Sequence, residues 1–280
     1  MRNLLLFSGL LILAFTTSCS DVRIKEHSEW KSHFDKYQVE GCFEVYDNNK
    51  EIAHYYNKER CAERMSPAST FKIFNSLVGL ETAIAPDEQL VIKWDGIKRW
   101  NEDWNKDLTM LQAFKVSALP YYQELARRIG RERMQHYLDT VQYGNKTIGT
   151  AVDSFWINNQ LKISADEQVG FIKRLYHTEL PFSERTQRIV RSMMLQKEDA
   201  NYKLYYKTGW SKAEKKDLLW VVGYIEKIEV LKNVETGKMD HIPHPYFFAL
   251  NFSTTDTAKD LRQLRTDLLQ DLLNANDIGK

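Results

Sequence analysis

A serine and a lysine one helical turn apart are spaced for nucleophilic chemistry in the stretch SPASTFKIFN, residues 66–75. Ser66-Pro67 predicts a helix start, with a capping serine followed by proline at the first helical position. Ser69 then lies in the first turn, where the positive end of the helix dipole and its own unbonded N–H favour an oxyanion. Lys72 follows on the same face, within reach of the Ser69 hydroxyl.

The residues around Lys72 favour a neutral amine. Apolar side chains at positions 71, 73, 74, 77, 78 and 80 cover about half of the predicted helix. Burial among them lowers the pKa of a lysine, and a neutral amine can act as a base for a serine. The alternative is a capped helix with a surface lysine, because a second copy of the pattern, Ser28 and Lys31, predicts an exposed helix without chemistry.

A second motif, Lys207-Thr208-Gly209, lies in the strand-like segment YKLYYKTGW. A lysine, a hydroxyl and a small glycine beside a serine nucleophile could bind a carboxylate and let a flat acyl group lie along the strand. The alternative is a turn with an exposed lysine. Ser-x-x-Lys followed by Lys-Thr-Gly is typical of penicillin-binding proteins and β-lactamases. The Ser-Asp-Asn element of class A enzymes is absent, and the middle of the chain offers Ser117-Ala118-Leu119 and Tyr143-Gly144-Asn145 instead.

Strand signals at the two ends of the chain must position these motifs. A hairpin is predicted over Cys42–Tyr56, and aromatic and β-branched residues predict strands at Lys203–Tyr206, Leu218–Ile225 and Tyr246–Phe252. The chain between Ser66 and Leu195 is largely helical in its pattern.

Two helices carry clear signals of their own. Ser164 and Glu167 form a capping box ahead of ADEQVGFIKRLY. The last helix, after Thr257, has leucines at 261, 264, 268 and 272 on one face. We therefore expect an α/β protein of the α+β type, with an antiparallel sheet built from both chain ends, flanking helices and a mostly helical lobe. A cleft between lobe and sheet is the natural ligand site.

Bulk composition agrees with one globular domain. The chain has 280 residues, is 43% hydrophobic and 28% charged, and carries a formal net charge of +1. These values exclude a disordered chain and give no support to nucleic acid as a partner. Two cysteines near the hairpin are too few for a zinc cage, and the prolines of HIPH, residues 241–244, predict loop histidines, so we expect no metal site.

The N-terminus predicts export. Residues 1–18 combine a positive start with a short apolar run, Leu4–Phe15, as in a signal peptide. The mature domain would be 19–280. It is either a soluble periplasmic protein or a lipoprotein anchored to the membrane through Cys19. Export also permits a disulfide between Cys42 and Cys61, and two unpaired thiols are the alternative.

The motifs SPASTFKI, Ser117-x-x, YGN, FWINNQLKIS, KTGW and FFALN, in this order, resemble class D (oxacillinase-type) serine β-lactamases. The resemblance runs from about Gly41 to the C-terminal helix. It implies the fold shared by penicillin-binding proteins, β-lactamases and the sensor domains of β-lactam receptors.

The resemblance also implies roles for individual residues. Ser69 would be acylated by the β-lactam carbonyl. Lys72 would carry a carbamate (N6-carboxylysine) formed from carbon dioxide or bicarbonate and would need no other cofactor. Trp156 would hydrogen-bond the carbamate, and Ser117 would relay a proton to the lactam nitrogen.

Further positions follow the same family pattern. Lys207, Thr208 and Gly209 would shape the site for the substrate carboxylate, and the N–H groups of Ser69 and Trp210 would form the oxyanion hole. Leu119 stands where the family usually has valine, at the carbamate pocket.

The family also uses an arginine near the C-terminal helix to bind the carboxylate. Arg262 and Arg265 both lie close, and Arg265 keeps the better spacing to the apolar positions of that helix. We therefore favour Arg265.

The expected function is hydrolysis of penicillins and oxacillin-like β-lactams through a serine acyl-enzyme, which gives antibiotic resistance. The alternatives are a β-lactam sensor domain and a penicillin-binding D,D-peptidase, each acylated without efficient turnover.

Overall fold

The structure is a computed structural model that describes residues 23–213, 216–232, 234–256 and 258–279. A seven-stranded sheet with the order β1-β3-β2-β9-β8-β7-β6 forms its centre, and β4 and β5 form a separate pair. The strands are β1 (Arg23–Glu26), β2 (Glu40–Asp47), β3 (Ile52–Tyr56), β4 (Val91–Ile92), β5 (Leu108–Thr109), β6 (Leu195–Glu198), β7 (Tyr202–Ala213), β8 (Lys216–Lys232) and β9 (Met239–Thr254).

The α-helices lie before the sheet's C-terminal strands, with one more at the end of the described chain. They are α1 (Lys31–Tyr37), α2 (Lys58–Ala62), α3 (Lys72–Glu81), α4 (Met110–Lys115), α5 (Leu119–Ile129), α6 (Arg131–Val141), α7 (Ala165–Tyr176), α8 (Glu184–Met194) and α9 (Leu261–Ala275). Short 3-10 helices cover Ser28–Trp30, Ala68–Phe71 and Glu102–Trp104.

The two chain ends build one sheet, as predicted. Strand β2 pairs antiparallel with β9, so that Cys42 lies opposite Asn251. Strands β7, β8 and β9 continue the antiparallel order, and among the described strands only the edge strand β1 runs parallel to its neighbour β3. The expected fold class is confirmed.

Residues of β8 alternate between two cores. Leu219 and Val221 face the core under α1 and α9, whereas Trp220 and Val222 face the larger core under the helical lobe. A strand covered on both faces reads as a continuous apolar run, which explains the sequence LLWVVGYI.

The predictions for α7 and α9 are also confirmed. Ser164 accepts from the backbone N–H of Glu167, whose side chain accepts in return from the N–H of Ser164 ahead of α7. The four leucines of α9 at positions 261, 264, 268 and 272 are buried against the sheet.

The prediction of loop histidines at HIPH is wrong. His241 and His244 lie in β9, which with β8 extends far beyond the predicted strands to the pair Lys232–Met239. His244 is buried between Asp47 and Glu229, at 2.6 and 2.5 Å. Pro243 fits here because β2 ends opposite Tyr246, so the missing N–H of the proline would face no partner strand.

The structure has Cys42 and Cys61 as two unpaired thiols, and the disulfide between them stays a prediction. Both thiols are free and fully buried, one on β2 and one on α2. The Cys61 Sγ lies 3.8 Å from the carbonyl oxygen of Tyr56, and contact with Cys42 together with burial raises the pKa of the Cys61 thiol. The packing of α2 on β2 brings the two cysteines together, and the β2–β3 ladder holds the hairpin.

The predicted signal peptide and the lipid attachment at Cys19 lie outside the described residues. Within the described ranges, no helix has the length and apolar character needed to cross a membrane.

Candidate active site

The segment that carries Ser69 begins differently from its prediction. Pro67, not Ser66, is the residue before the 3-10 helix, and no side chain caps it. The Ser66 hydroxyl donates instead to the carbonyl oxygen of Trp156 at 2.9 Å, and the N–H of Ala68 donates to the same oxygen at 3.1 Å. Ser69 still falls in the first turn and is partly exposed.

The backbone at Ala68 is strained. Its φ of 49° is in the left-handed region, which costs a residue with a side chain about 1–2 kcal/mol. The bonds to Trp156 hold it there. The nucleophile segment is therefore tied to the loop before α7 by hydrogen bonds to the Trp156 carbonyl.

Lys72 is 1% exposed, and its Nζ donates to the Oγ of Ser69 at 2.7 Å. The same ammonium or amine nitrogen lies 5.3 Å from the centre of the Tyr122 ring. Burial lowers the pKa of Lys72 from 10.5 to about 7, because no water stabilises the charge. Close to neutral pH, a large fraction of Lys72 is therefore the free amine beside the Ser69 hydroxyl.

The Trp156 ring packs on Phe71, the residue directly before Lys72. It stacks on Phe71 with ring centres 5.2 Å apart and is fully buried. Its Nε1–H has no hydrogen-bond partner in the described part of the chain. An orphaned buried donor costs about 1–3 kcal/mol, so its presence needs a reason.

Strand β7 runs along the other side of Ser69. A Cβ atom placed on Gly209 would lie 2.9 Å from the carbonyl oxygen of Pro67 and 3.2 Å from the Cγ2 of Thr70. Only glycine allows this strand to lie so close to the nucleophile segment. The glycine of Lys-Thr-Gly thus sets the width of the cleft.

Lys207 and Ser117 meet across the cleft. The Lys207 Nζ donates to the Ser117 Oγ at 3.0 Å and to the carbonyl oxygen of Thr208 at 3.0 Å. Burial, then the charges of Lys72 and Arg265, hold the pKa of Lys207 well below its usual range. Ser117 has a φ of 55°, a second strained position of the site.

A cavity of about 450 Å³ opens above these groups. Its lining comprises Ser69, Trp100, Asn101, Asp103, Trp104, Lys115, Val116, Ser117, Leu119, Ile157, Thr208, Trp210, Arg262 and Arg265. The motifs that lie far apart in the sequence, including Leu119 at the start of α5 and Trp210 on β7, therefore share one cavity.

Arg262 and Arg265 both line the cavity but differ in exposure. Arg265 is largely buried, with its Nη1 3.4 Å from the carbonyl oxygen of Gly209 and its Nε without a partner among the described residues. Burial lowers the pKa of Arg265 to about 10. Arg262 is exposed at the cavity mouth, with its guanidinium over the Trp100 ring.

The cavity is electrostatically positive. Lys115, Arg262 and Arg265 line it, whereas Asp103 is the one carboxylate among the described lining residues. Asp103 lies 3.6 Å from the Nζ of Lys106 on the surface. A cleft lined by one sign of charge attracts a ligand of the other sign, so the site fits an anion.

Sequence reasoning missed Trp100, Trp104 and Lys115. The tryptophan-rich stretch WDGIKRWNEDWNKD, residues 94–107, was a signal for an aromatic cavity wall, but it has no helix or strand period that would show which rings face inward. The described side chains include no group of three His, Cys, Asp or Glu placed to hold a metal ion.

Three comparisons bear on this geometry. Residues 33–242 match the family model for the penicillin-binding protein transpeptidase domain. The β-lactamase OXA-48 of Klebsiella pneumoniae is 41% identical over 202 residues, which cover 72% of this chain and 76% of the relative.

Solved structures agree in fold. A class D β-lactamase from Sebaldella termitidis is 34% identical with a TM-score of 0.83, covering 91% of this chain and 98% of that one. The C-terminal domain of the Bacillus licheniformis BlaR penicillin receptor is 25% identical with a TM-score of 0.82, covering 92% and 98%.

Proposed function

The chain belongs to the class D β-lactamases, and on that premise we propose that it hydrolyses penicillin-type β-lactams through an acyl-enzyme on Ser69. The observation that carries this proposal is the hydrogen bond of 2.7 Å between a buried Lys72 and Ser69 at the base of a positive cavity. Penicillins carry a carboxylate beside a strained cyclic amide, which suits a nucleophile surrounded by cations. Hydrolysis of this kind would confer antibiotic resistance.

In the proposed acylation, the Oγ of Ser69 attacks the lactam carbonyl and its proton leaves toward Lys72. The N–H groups of Ser69 and Trp210 would stabilise the oxyanion that develops. Ser117, which accepts from the Lys207 Nζ at 3.0 Å, is placed to pass a proton to the lactam nitrogen as the ring opens. Water then attacks the ester, and the same groups release Ser69.

The residues around Lys72 fit the carbamate that the family resemblance implies. Burial lowers the pKa of Lys72 to about 7, so a large fraction of the amine is neutral near that pH, and the neutral amine is the form that reacts with carbon dioxide. The unpartnered Nε1–H of Trp156 gives a buried donor for an anionic oxygen. A carbamate on the Lys72 Nζ supplies a general base for both acylation and deacylation.

Leu119 lines the same cavity, at the position where the family usually has valine. Its larger side chain would narrow the path of water to the carbamate pocket. We propose that it affects deacylation more than acylation.

Thr208 and the two arginines would receive the substrate carboxylate. Thr208 lines the cavity on β7, and Lys207 supports it from below through its bond to the Thr208 carbonyl at 3.0 Å. Arg262 and Arg265 line the same cavity from α9. The proposed substrate therefore lies along β7, with its carboxylate toward α9.

The likeness to the BlaR receptor domain, at a TM-score of 0.82, favours a β-lactam sensor as the alternative function. A sensor reacts once with a β-lactam and stays acylated, and a D,D-peptidase would also fail to turn over efficiently. Turnover number separates the three functions, because the first step is common to them.

The experiment measures turnover of a chromogenic β-lactam, with and without added bicarbonate, for the unmodified protein and for Lys72→Ala. We expect many turnovers per enzyme, stimulation by bicarbonate and loss of deacylation in the variant. A single stoichiometric burst would support the sensor, and no reaction would refute the function.

Export remains a proposal that rests on residues 1–18. We propose a periplasmic protein that is either soluble or anchored through a lipid on Cys19. Cell fractionation of the unmodified chain and of Cys19→Ala tests this. A lipoprotein moves from the membrane fraction to the soluble fraction on substitution, whereas a soluble protein shows no change.

A further inference from the structure

Trp100 is exposed over 73% of its surface, yet it is held from two sides. The edge of its ring meets Trp104, with ring centres 5.3 Å apart. The guanidinium of Arg262 lies 5.3 Å from the centre of the Trp100 ring. Trp100 belongs to the helical lobe and Arg262 to the first turn of α9, so the pair spans the mouth of the cavity that both residues line.

The segment that carries Trp100 is internally braced. The N–H of Arg99 donates to the Oδ1 of Asn105 at 2.8 Å, and the Nδ2 of Asn105 donates back to the Arg99 carbonyl at 2.9 Å. The Nε1 of Trp104 donates to the Val116 carbonyl at 3.0 Å. Trp100 is therefore a fixed platform, although its ring faces solvent.

Arg262 is anchored at its backbone and not at its side chain. Its N–H donates to the N-cap residue Asp260 at 3.0 Å. Across the described ranges, no carboxylate lies within ion-pair distance of its guanidinium. The Trp100 ring is the contact that orients this charge, whereas Arg265 is turned toward the Gly209 carbonyl.

We propose that Trp100 is a positioning residue that holds Arg262 at the cavity mouth to bind the substrate carboxylate. A guanidinium that lies over an aromatic face keeps the N–H groups at its edge available for a bidentate carboxylate. The assignment deepens the proposed function, on which it rests, and it favours Arg262 over Arg265 as the carboxylate ligand.

The test compares benzylpenicillin with its methyl ester, which lacks the carboxylate, for the variants Trp100→Ala, Arg262→Ala and the double variant. An exposed cation–π contact is worth about 0.5–1 kcal/mol, so Trp100→Ala should raise KM for benzylpenicillin about two- to fivefold. Turnover of the ester should stay unchanged. In the Arg262→Ala background, the second substitution should have no further effect on KM.

Two variants control for the fold. Trp94→Ala removes another exposed tryptophan of the same segment, one that lines a neighbouring cavity instead of this one, and it should leave KM unchanged. Trp100→Phe keeps an aromatic face, so its KM should stay close to that of the unmodified protein. Thermal unfolding of each variant verifies that the segment remains folded.

If Trp100→Ala impaired the kinetics with benzylpenicillin and with its methyl ester equally, the inference would be overturned, because Trp100 would then act on another part of the substrate or on the fold. Additive effects of Trp100→Ala and Arg262→Ala on KM in the double variant would also overturn it. No turnover of benzylpenicillin by the unmodified protein would instead refute the proposed function and remove the premise of the inference.

Discussion

Replacing Trp156 by phenylalanine removes a buried N–H that has no partner in the described chain. The Ser66 hydroxyl and the Ala68 N–H both donate to the main-chain carbonyl of residue 156, so these bonds do not involve the ring and should persist. Phenylalanine also keeps an aromatic face against Phe71, whose ring centre is 5.2 Å away. The substitution thus isolates the role of one donor.

Two effects of opposite sign follow for stability. Loss of an orphaned donor relieves about 1–3 kcal/mol, and the smaller ring leaves a void that costs a similar amount. In a buffer free of carbon dioxide, the free energy of unfolding should therefore change by less than about 2 kcal/mol. A structural tryptophan with a needed hydrogen bond would lose more.

The effect on carbamate formation should be larger. A hydrogen bond to a charged group is worth about 1.5–3 kcal/mol, so the bicarbonate concentration for half-maximal activity should rise about 10- to 150-fold in Trp156→Phe.

The assay titrates activity with bicarbonate and follows the carbamate directly by carbon-13 NMR of protein supplied with labelled bicarbonate. Trp30→Phe, a buried tryptophan in the other core, is the matched control and should leave the titration unchanged. An unaltered bicarbonate requirement in Trp156→Phe would refute the reasoning.

Three further predictions concern stability and the cleft. Lys72→Met should stabilise the protein most at low pH. The pKa of Lys72 is about 7 in the folded state and 10.5 in the unfolded state, so the native state binds fewer protons between these pH values. The unmodified protein therefore loses stability as the pH falls from 10.5 to 7, and the variant does not. Denaturant unfolding at pH 7 and pH 10 checks this, and an equal gain at both would contradict it. Gly209→Ala should lower kcat/KM at least about tenfold, because the added Cβ would lie 2.9 Å from the Pro67 carbonyl oxygen and push β7 away from the nucleophile. Unchanged kcat/KM would contradict this and show that β7 can move without loss of activity. His244→Ala should cost about 1–3 kcal/mol of stability, because the buried Asp47 keeps only Lys50 as a partner among the described residues and Glu229 loses the imidazole. The value of kcat/KM should be retained, and an unchanged unfolding midpoint would argue against that network.

Local signals predicted much of the fold. The capping box at Ser164 and the leucine spacing of α9 are properties of a single helix, and the structure reproduces both. The two motifs around Ser69 and Lys207 also depend on short spacings, and the structure brings them to one cavity.

Features set by distant contacts could not be predicted. Ser66 looked like a helix cap, but the Trp156 carbonyl, ninety residues away, takes its hydroxyl. The prolines near His244 looked like a loop, because the sequence does not show that β9 has an unpaired edge there. Trp100 and Arg262 meet across the cleft only after the lobe packs on the sheet. Neither their residue types nor their spacing in the sequence therefore predicts the contact.

The most direct test of the central claim counts products formed per Ser69. Purified protein is mixed with a hundredfold excess of benzylpenicillin and saturating bicarbonate, hydrolysis is followed to completion, and intact mass spectrometry reports acyl adducts in the protein and in Ser69→Ala. The account predicts that the unmodified protein consumes all of the penicillin, with an adduct visible early and none in the variant. One penicillin consumed per protein, with a stable adduct, would contradict it.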